Sequence, residues 1–373
     1  MKLLTLKVQK KHRFNFVLFF LMLLLLGLGC VFVFSASFYS AEITYGDKFY
    51  FLKKQILGIA IGFVGFLFFS WFDYNHLKKL GTCFFVFAVA LLCLVFVPGI
   101  GVTNYGATRW INLKVLTIQP SEIAKFAFIV ASASFLSKSA DKVKTFKGIF
   151  PVLFMGGVFC VLIILEPNMS ITITMALLVA VMLFVGGAKA KHFLMMIVPA
   201  VILVILLIAI EPYRLKRLIA FIDPFASSKD EGFQLVQSLL AVSLGGAFGS
   251  GLFKSRQKYL FLPFAESDFI FSIIAEEIGF VGSVFVLFLF IMLFLSVIKV
   301  ARNSNDRFGA LLCTGVAAII IIQVLLNLGV VLGLLPPTGL PLPFISAGST
   351  SIMVFMAMLG VVQNVHRQSI KGL

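Results

Sequence analysis

Fifteen acidic residues stand against 31 lysines and arginines in a chain of 373 residues, so each carboxylate can be weighed singly. Six of them, Glu122, Glu166, Glu266, Asp268, Glu276 and Glu277, lie within long apolar runs or at their ends. Ionisable groups at membrane depth are costly and mark functional sites by default. Asp268 stands where Pro263-Phe264-Ala265-Glu266-Ser267 gives way to an apolar helix, just after the basic run Lys254, Arg256 and Lys258. Such a carboxylate is either a helix-capping group, worth ~1 kcal/mol, or a general base beside a cationic patch that could hold an anionic group. Glu276 follows two turns on, roughly 12 Å along a helix, and at least one of Glu276 and Glu277 must face the bundle interior.

Three further stretches carry polar side chains in apolar surroundings. In the first, Gly106-Ala107-Thr108-Arg109-Trp110-Ile111-Asn112 precedes Gln119-Pro120-Ser121-Glu122-Ile123-Ala124-Lys125. Pro120 suits a first helical position and Glu122 the positive end of a helix dipole. Glu122 and Lys125 share a helix face, as a local ion pair or as the polar wall of an outward cavity, where Arg109 and Lys125 would meet an anionic head group. In the second, Gln234, Gln237 and Ser238 form a stripe on a helix over 233–245, too short to span a bilayer and so interfacial or re-entrant. Gly245, Gly246, Gly249 and Gly251 follow it; they either permit close packing or expose backbone amides to phosphate. The third runs from Asn327 to Ser351 and includes Ser346. Its four prolines forbid a regular helix, yet Pro336 to Phe344 is uncharged. Irregular backbone at membrane depth is tolerated only when buried in protein or lining a wet cavity.

The elements that must position these residues follow from composition. Apolar residues make up 61% of the chain and charged ones 12%, about half the share of a soluble domain, and mean hydropathy is +1.09. A soluble globular protein, a disordered chain and a disulfide scaffold are excluded. Apolar runs predict an all-α integral membrane protein, a single polytopic domain over 1–373, with about ten spans: 14–36, 55–72, 82–99, 120–137, 148–166, 170–187, 193–211, 268–298, 308–335 and 350–365. A long extracytoplasmic loop, 212–267, separates the seventh and eighth. The first run is too long for a signal-peptide core and is read as an uncleaved span.

The formal charge of +16 is read as topological, with no nucleic-acid partner. With both termini cytoplasmic, the inner segments hold 18 Lys/Arg against 5 in the outer ones, the long loop aside. The cysteines sit in apolar runs without metal spacing, and the histidines fall in inner tails or loops, so no zinc site is expected. No Walker or Rossmann glycine motif occurs. No cofactor is assigned; a divalent cation, Mg or Mn, stays open with no ligands named. No inverted repeat or pair of broken helices is evident, which argues against a standard transporter. Gly329 and Gly333 form a small-xxx-small pair in the ninth span, for internal packing or for a partner's membrane anchor.

Taken in order, these motifs resemble the SEDS family (shape, elongation, division and sporulation), whose best-known members are FtsW and RodA. The resemblance rests on the two stretches around Arg109 and Glu122, on Gly232-Phe233-Gln234-Leu235-Val236-Gln237-Ser238, Ser255-Arg256-Gln257-Lys258 and Ser267-Asp268-Phe269-Ile270-Phe271, and on Pro341-Leu342-Pro343-Phe344-Ile345-Ser346. Tyr213-Arg214 through Asp223-Pro224-Phe225 looks more like the FtsW branch than the RodA branch. The resemblance implies a peptidoglycan glycosyltransferase that polymerises lipid II at the outer face of the bacterial cytoplasmic (inner) membrane, septal in a division role. It also implies a class B penicillin-binding protein as transpeptidase partner, alongside other divisome or elongasome membrane proteins. The family's essential loop aspartate matches Asp268. Arg109, Trp110, Glu122, Lys125, Gln234, Gln237, Ser238, Lys254, Arg256, Lys258 and Ser346 are candidates for substrate binding. The sequence departs from the family at Phe264-Ala265-Glu266-Ser267 before the aspartate, and at Pro167-Asn168-Met169-Ser170, where many members carry an aspartate at 168. A lipid II flippase and a scaffold for the penicillin-binding protein are the competing readings.

Overall fold

The computed structural model describes residues 14–104, 107–112, 117–139, 141–198, 202, 212–226 and 232–369. Three helices open the chain: α1 (Phe16–Tyr45), α2 (Tyr50–Trp71) and α3 (Tyr74–Leu94). A small antiparallel sheet follows, β1 (Gly101–Asn104), β2 (Ala107–Asn112) and β3 (Thr117–Ile118), in the order β1-β2-β3. Then come α4 (Pro120–Lys138), α5 (Phe146–Leu165), α6 (Met169–Gly186), α7 (Pro212–Ile222), α8 (Phe233–Gly245), α9 (Ile270–Arg302), α10 (Arg307–Val331) and α11 (Ser349–Gln368). Among the described residues, eight helices are long and apolar enough to cross a membrane: α1, α2, α3, α5, α6, α9, α10 and α11. The all-α expectation holds for the bundle, and the sheet is its exception. Of the expected seventh span, 190–198 are helical, while 199–201 and 203–211 lie outside the described residues.

Helix starts are written in the sequence. Asn15, Thr145, Asn168 and Asp306 each accept a backbone N–H from the first turn of α1, α5, α6 and α10, meeting donors that a helix start leaves orphaned. Asn168 thus has a capping role, with Oδ1 3.3 Å from the N–H of Ile171. Gly46 ends α1 in the left-handed region, at φ 68°. The helix α4 is buried on nearly every side, packed against α3, α10 and α6.

Loops sort to the two ends of the bundle. At one end Tyr74 Oη donates to Asp306 (2.9 Å), Arg307 to the Gly186 carbonyl (2.7 Å) and Gln368 to Asp73 (3.0 Å). The sheet, the 166–168 turn, the start of α9 and the proline-rich loop 332–348 meet at the other.

That proline-rich loop turns into the bundle. A Cβ on Gly29 would lie 2.6 Å from the Phe344 carbonyl oxygen, so the loop backbone rests directly on α1. Side-chain amides from α2 and α10 satisfy its carbonyls: Gln55 reaches Ile345 and Ser346 (3.3 Å each), Gln323 reaches Pro341 (2.8 Å) and Asn327 reaches Leu340 (2.7 Å). Prolines exclude a helical ladder here, so the amides do its work in a site where an unpaired carbonyl is expensive.

α9 is broken at Gly279 (φ 67°), a feature its sequence did not announce. The break frees the carbonyls of Glu276 and Glu277 and the N–H groups of Phe280 and Val281. Residues 246–251 satisfy all four: Ser250 and Gly251 donate to Glu276 and Glu277 (2.9 and 3.0 Å), while Gly246 and Ala247 accept from Phe280 and Val281 (2.9 and 3.1 Å). A Cβ on Gly279 would lie 2.3 Å from the Gly249 nitrogen. Of the two roles open to the glycines 245–251, the structure therefore shows close packing, with the amides of 249, 250 and 251 spent internally. Gly329 packs on Leu335 and Gly333 faces Leu239 of α8, so both glycines take part in internal packing.

Candidate functional site

Asp268 sits half-buried just before α9 begins, and its backbone is clamped. The carbonyls of Glu266, Ser267 and Asp268 each accept a hydrogen bond: from the N–H of Ala347 (2.9 Å), from Ser346 Oγ (2.5 Å) and from Asn327 Nδ2 (2.8 Å). Asn327 also holds the Leu340 carbonyl, so one amide fixes the carboxylate-bearing turn and the proline-rich loop together. The Asp268 carboxyl lies against Gly339, where a Cβ would come 3.0 Å from Oδ2. Burial, and the like charge of Glu266, push the Asp268 pKa up to about 7; the Ser267 hydroxyl, Arg217 and Arg109 pull it back down. Burial raises the Glu266 pKa as well.

Two cations act on this carboxylate from different elements. Arg109, on β2, donates to the Glu166 carbonyl (3.1 Å) and to the Pro167 carbonyl. Arg217, on α7, donates to the Pro337 carbonyl (3.4 Å). Glu166, beside Arg109, is buried with neither carboxylate oxygen bonded, and burial lifts its pKa to about 8 against the pull of Arg109. The sheet carrying Arg109 and half-buried Trp110 is tied to α11 through Thr350, which donates to the Thr117 carbonyl and accepts from the Gln119 N–H.

The expected residues divide into three groups. Asp268 and Arg109 come together, with Trp110 on the same strand. Gln234 and Gln237 lie on α8 with no side-chain partner among the described residues. The others are placed differently from a shared anion site. Lys125 is fully buried, bonded to Glu122 (2.7 Å) and to Gln323 (2.9 Å), so the ion pair within α4 is the reading that fits, not a cavity wall. Lys258 is buried against Glu277 (2.9 Å) and Ser35 (3.2 Å). Ser238 is bonded to Ser272 and the Val331 carbonyl, and Ser346 is spent on the clamp. Lys254 and Arg256 are exposed, and neither is among the charges that act on Asp268. Arg217 was not among the expected site residues, and Asn327 was read only as the start of the third polar stretch. The one signal for Arg217 was the basic cluster 214–217, and Asn327 follows Gln323 by one helical turn in an otherwise apolar run. Among the described residues no three His, Cys, Asp or Glu side chains cluster to hold a metal ion.

The FtsW, RodA and SpoVE family of cell cycle proteins matches residues 16–371. A probable peptidoglycan glycosyltransferase FtsW of Geobacter sp. (strain M18) is 40% identical, covering 96% of this chain and 98% of its own length. Stage V sporulation protein E of Bacillus subtilis (strain 168) is 38% identical, with 96% and 99% covered. Among solved structures, a chain from a study of how a peptidoglycan synthase complex coordinates polymerization and crosslinking superposes with a TM-score of 0.80 at 27% identity, covering 96% of this chain and 99% of that one. The rod shape determining protein RodA of Thermus thermophilus superposes with a TM-score of 0.69 at 25% identity, with 96% and 98% covered.

Proposed function

Because this chain belongs to the FtsW, RodA and SpoVE family, we propose that it is a membrane peptidoglycan glycosyltransferase that polymerises lipid II into glycan strands, in cell division. The observation that carries this reading is the clamped Asp268 carboxylate under the pull of Arg109 and Arg217. Asp268 takes the proton from the acceptor sugar hydroxyl as that oxygen bonds to the anomeric carbon of the donor. The bond from that carbon to the pyrophosphate oxygen breaks, and the leaving anion is met by Arg109 and Arg217. An α-linked donor then yields a β-linked strand by one displacement. A base titrating near neutrality suits the task. The clamp holds the carboxylate while the strand moves past, since positioning errors of about 1 Å are costly in rate.

The charge distribution supports placing the Lys/Arg-rich end and both termini in the cytoplasm and Asp268 outside. The likeness to a synthase-complex chain supports a class B penicillin-binding protein as partner, alongside other division proteins.

Purified protein in detergent, given lipid II without ATP or a bilayer, is expected to make glycan polymer. Absence of polymer there, with lipid II translocation in vesicles, would assign the chain to the flippase reading instead.

A further inference from the structure

Two helices fix the height of the membrane surface independently. The hydrocarbon core takes about 20 helical residues. Counted from the start of α1 at Phe16, the outer boundary falls near Ser35. Counted back along α9 from Lys299, the first inner cation, it falls near Gly279. The structure brings these levels together, with Ser35 Oγ 2.6 Å from Glu277 Oε1. The turn 246–258 is pinned at this height by its backbone bonds to 276–281 and by Arg256, whose N–H donates to Glu276 (2.7 Å).

This turn faces outward. Phe248 is 82% exposed, and Leu252, Phe253 and Phe261 are exposed beside it. Lys254 and Arg256 are exposed between them, and among the described residues neither has an ion-pair or side-chain hydrogen-bond partner. Behind the turn, Lys258 is buried with Glu277 and Ser35 and covered by the rings of Phe38 and Phe253 (5.1 and 6.0 Å), which closes the way from this face into the bundle.

We infer that Lys254 and Arg256 form a binding site for the phosphate headgroup of an anionic phospholipid of the outer leaflet, with Phe248, Leu252 and Phe253 against its acyl chains. The cations stand at headgroup height, apolar side chains stand beside them, and a phosphodiester supplies the charge that the protein does not. The closed wall behind the turn favours bulk phospholipid over the polyprenyl-linked donor. The inference rests on the chain crossing a membrane and is independent of the reaction proposed above.

The test places a reporter at the turn, Phe261→Trp, in the full chain in vesicles, and reads quenching by brominated phosphatidylglycerol and brominated phosphatidylcholine. The signal of native Trp71 and Trp110 is subtracted using the parent protein. Phosphatidylglycerol is expected to be preferred five- to thirtyfold, about fivefold for each engaged cation at ~1 kcal/mol per cation. Lys254→Gln with Arg256→Gln should bring the ratio near one. The exchange Lys254→Arg with Arg256→Lys should retain it, which separates lost charge from a damaged fold. An unchanged ratio in the glutamine pair, or no preference in the parent, overturns the site. Displacement of phosphatidylglycerol from the turn by stoichiometric lipid II also overturns it and gives the turn to the donor.

Discussion

Two carboxylates near the N-terminal end of α9 live in opposite circumstances. Glu277 is buried and its Oε1 accepts from Lys258, Ser35 and the Ser255 N–H. Asp268, just before the helix begins, has its backbone clamped while its carboxyl is left to Ser267 and to the more distant Arg217 and Arg109. In the first site the charge is consumed by the fold. In the second the fold holds the residue by its main chain and leaves the charge for use. A buried ion pair is a structural device, whereas a rigidly mounted carboxylate with a raised pKa is a reagent.

The sharpest way to break this contrast is Asp268→Asn. Polymerisation of lipid II by the purified protein is expected to fall by ~10²–10⁴. Stability should move the other way. A folded-state pKa near 7, above the ordinary value of 3.8, means that this carboxyl favours folding at low pH and that the contribution is lost as pH rises from about 4 to 7. The amide put in its place does not titrate, so the variant should melt no lower than its parent at pH 8. Near-normal turnover would remove Asp268 as the base.

Lys258→Met should do the opposite, costing ~3–5 kcal/mol of stability by stranding the buried Glu277 charge. Adding Glu277→Gln should recover more than half of that. A thermal-melt double-mutant cycle measures it, and additive losses would mean that the pair is not coupled.

The smallest effects are shifts of the pH–rate profile, whose acid limb should rise through about pH 7. Glu266→Gln removes the like charge, lowers the Asp268 pKa and moves that limb to lower pH, by less than about one unit. Arg217→Gln removes an opposing charge and moves it to higher pH. Profiles that shifted the same way in both variants would contradict the arrangement.

Much of this was legible in the sequence, and the misses share one cause. Apolar runs located the helices because about 20 such residues are what a bilayer requires. Asp268 stood out as a carboxylate at the edge of an apolar helix. What the sequence hid was which charges meet a partner from another element. Lys125 and Lys258 look alike as cations, but Gln323 lies on α10 and Glu277 on α9, and only the fold brings them into contact. Arg217 was passed over for the converse reason, since its partner carbonyl belongs to the proline-rich loop. The break in α9 was silent because a single glycine in an apolar run reads equally well as continuous helix.

A helix that borrows its hydrogen bonds from a loop cannot vary alone. Residues 246–251 complete the ladder of α9, so a deletion or side-chain gain in the loop would be felt as a defect in a helix whose own sequence had not changed. Across related chains, Gly249 and Gly279 should therefore be retained or replaced as a pair. Inserted residues should accumulate elsewhere in 212–267, leaving the length of the 246–251 turn fixed.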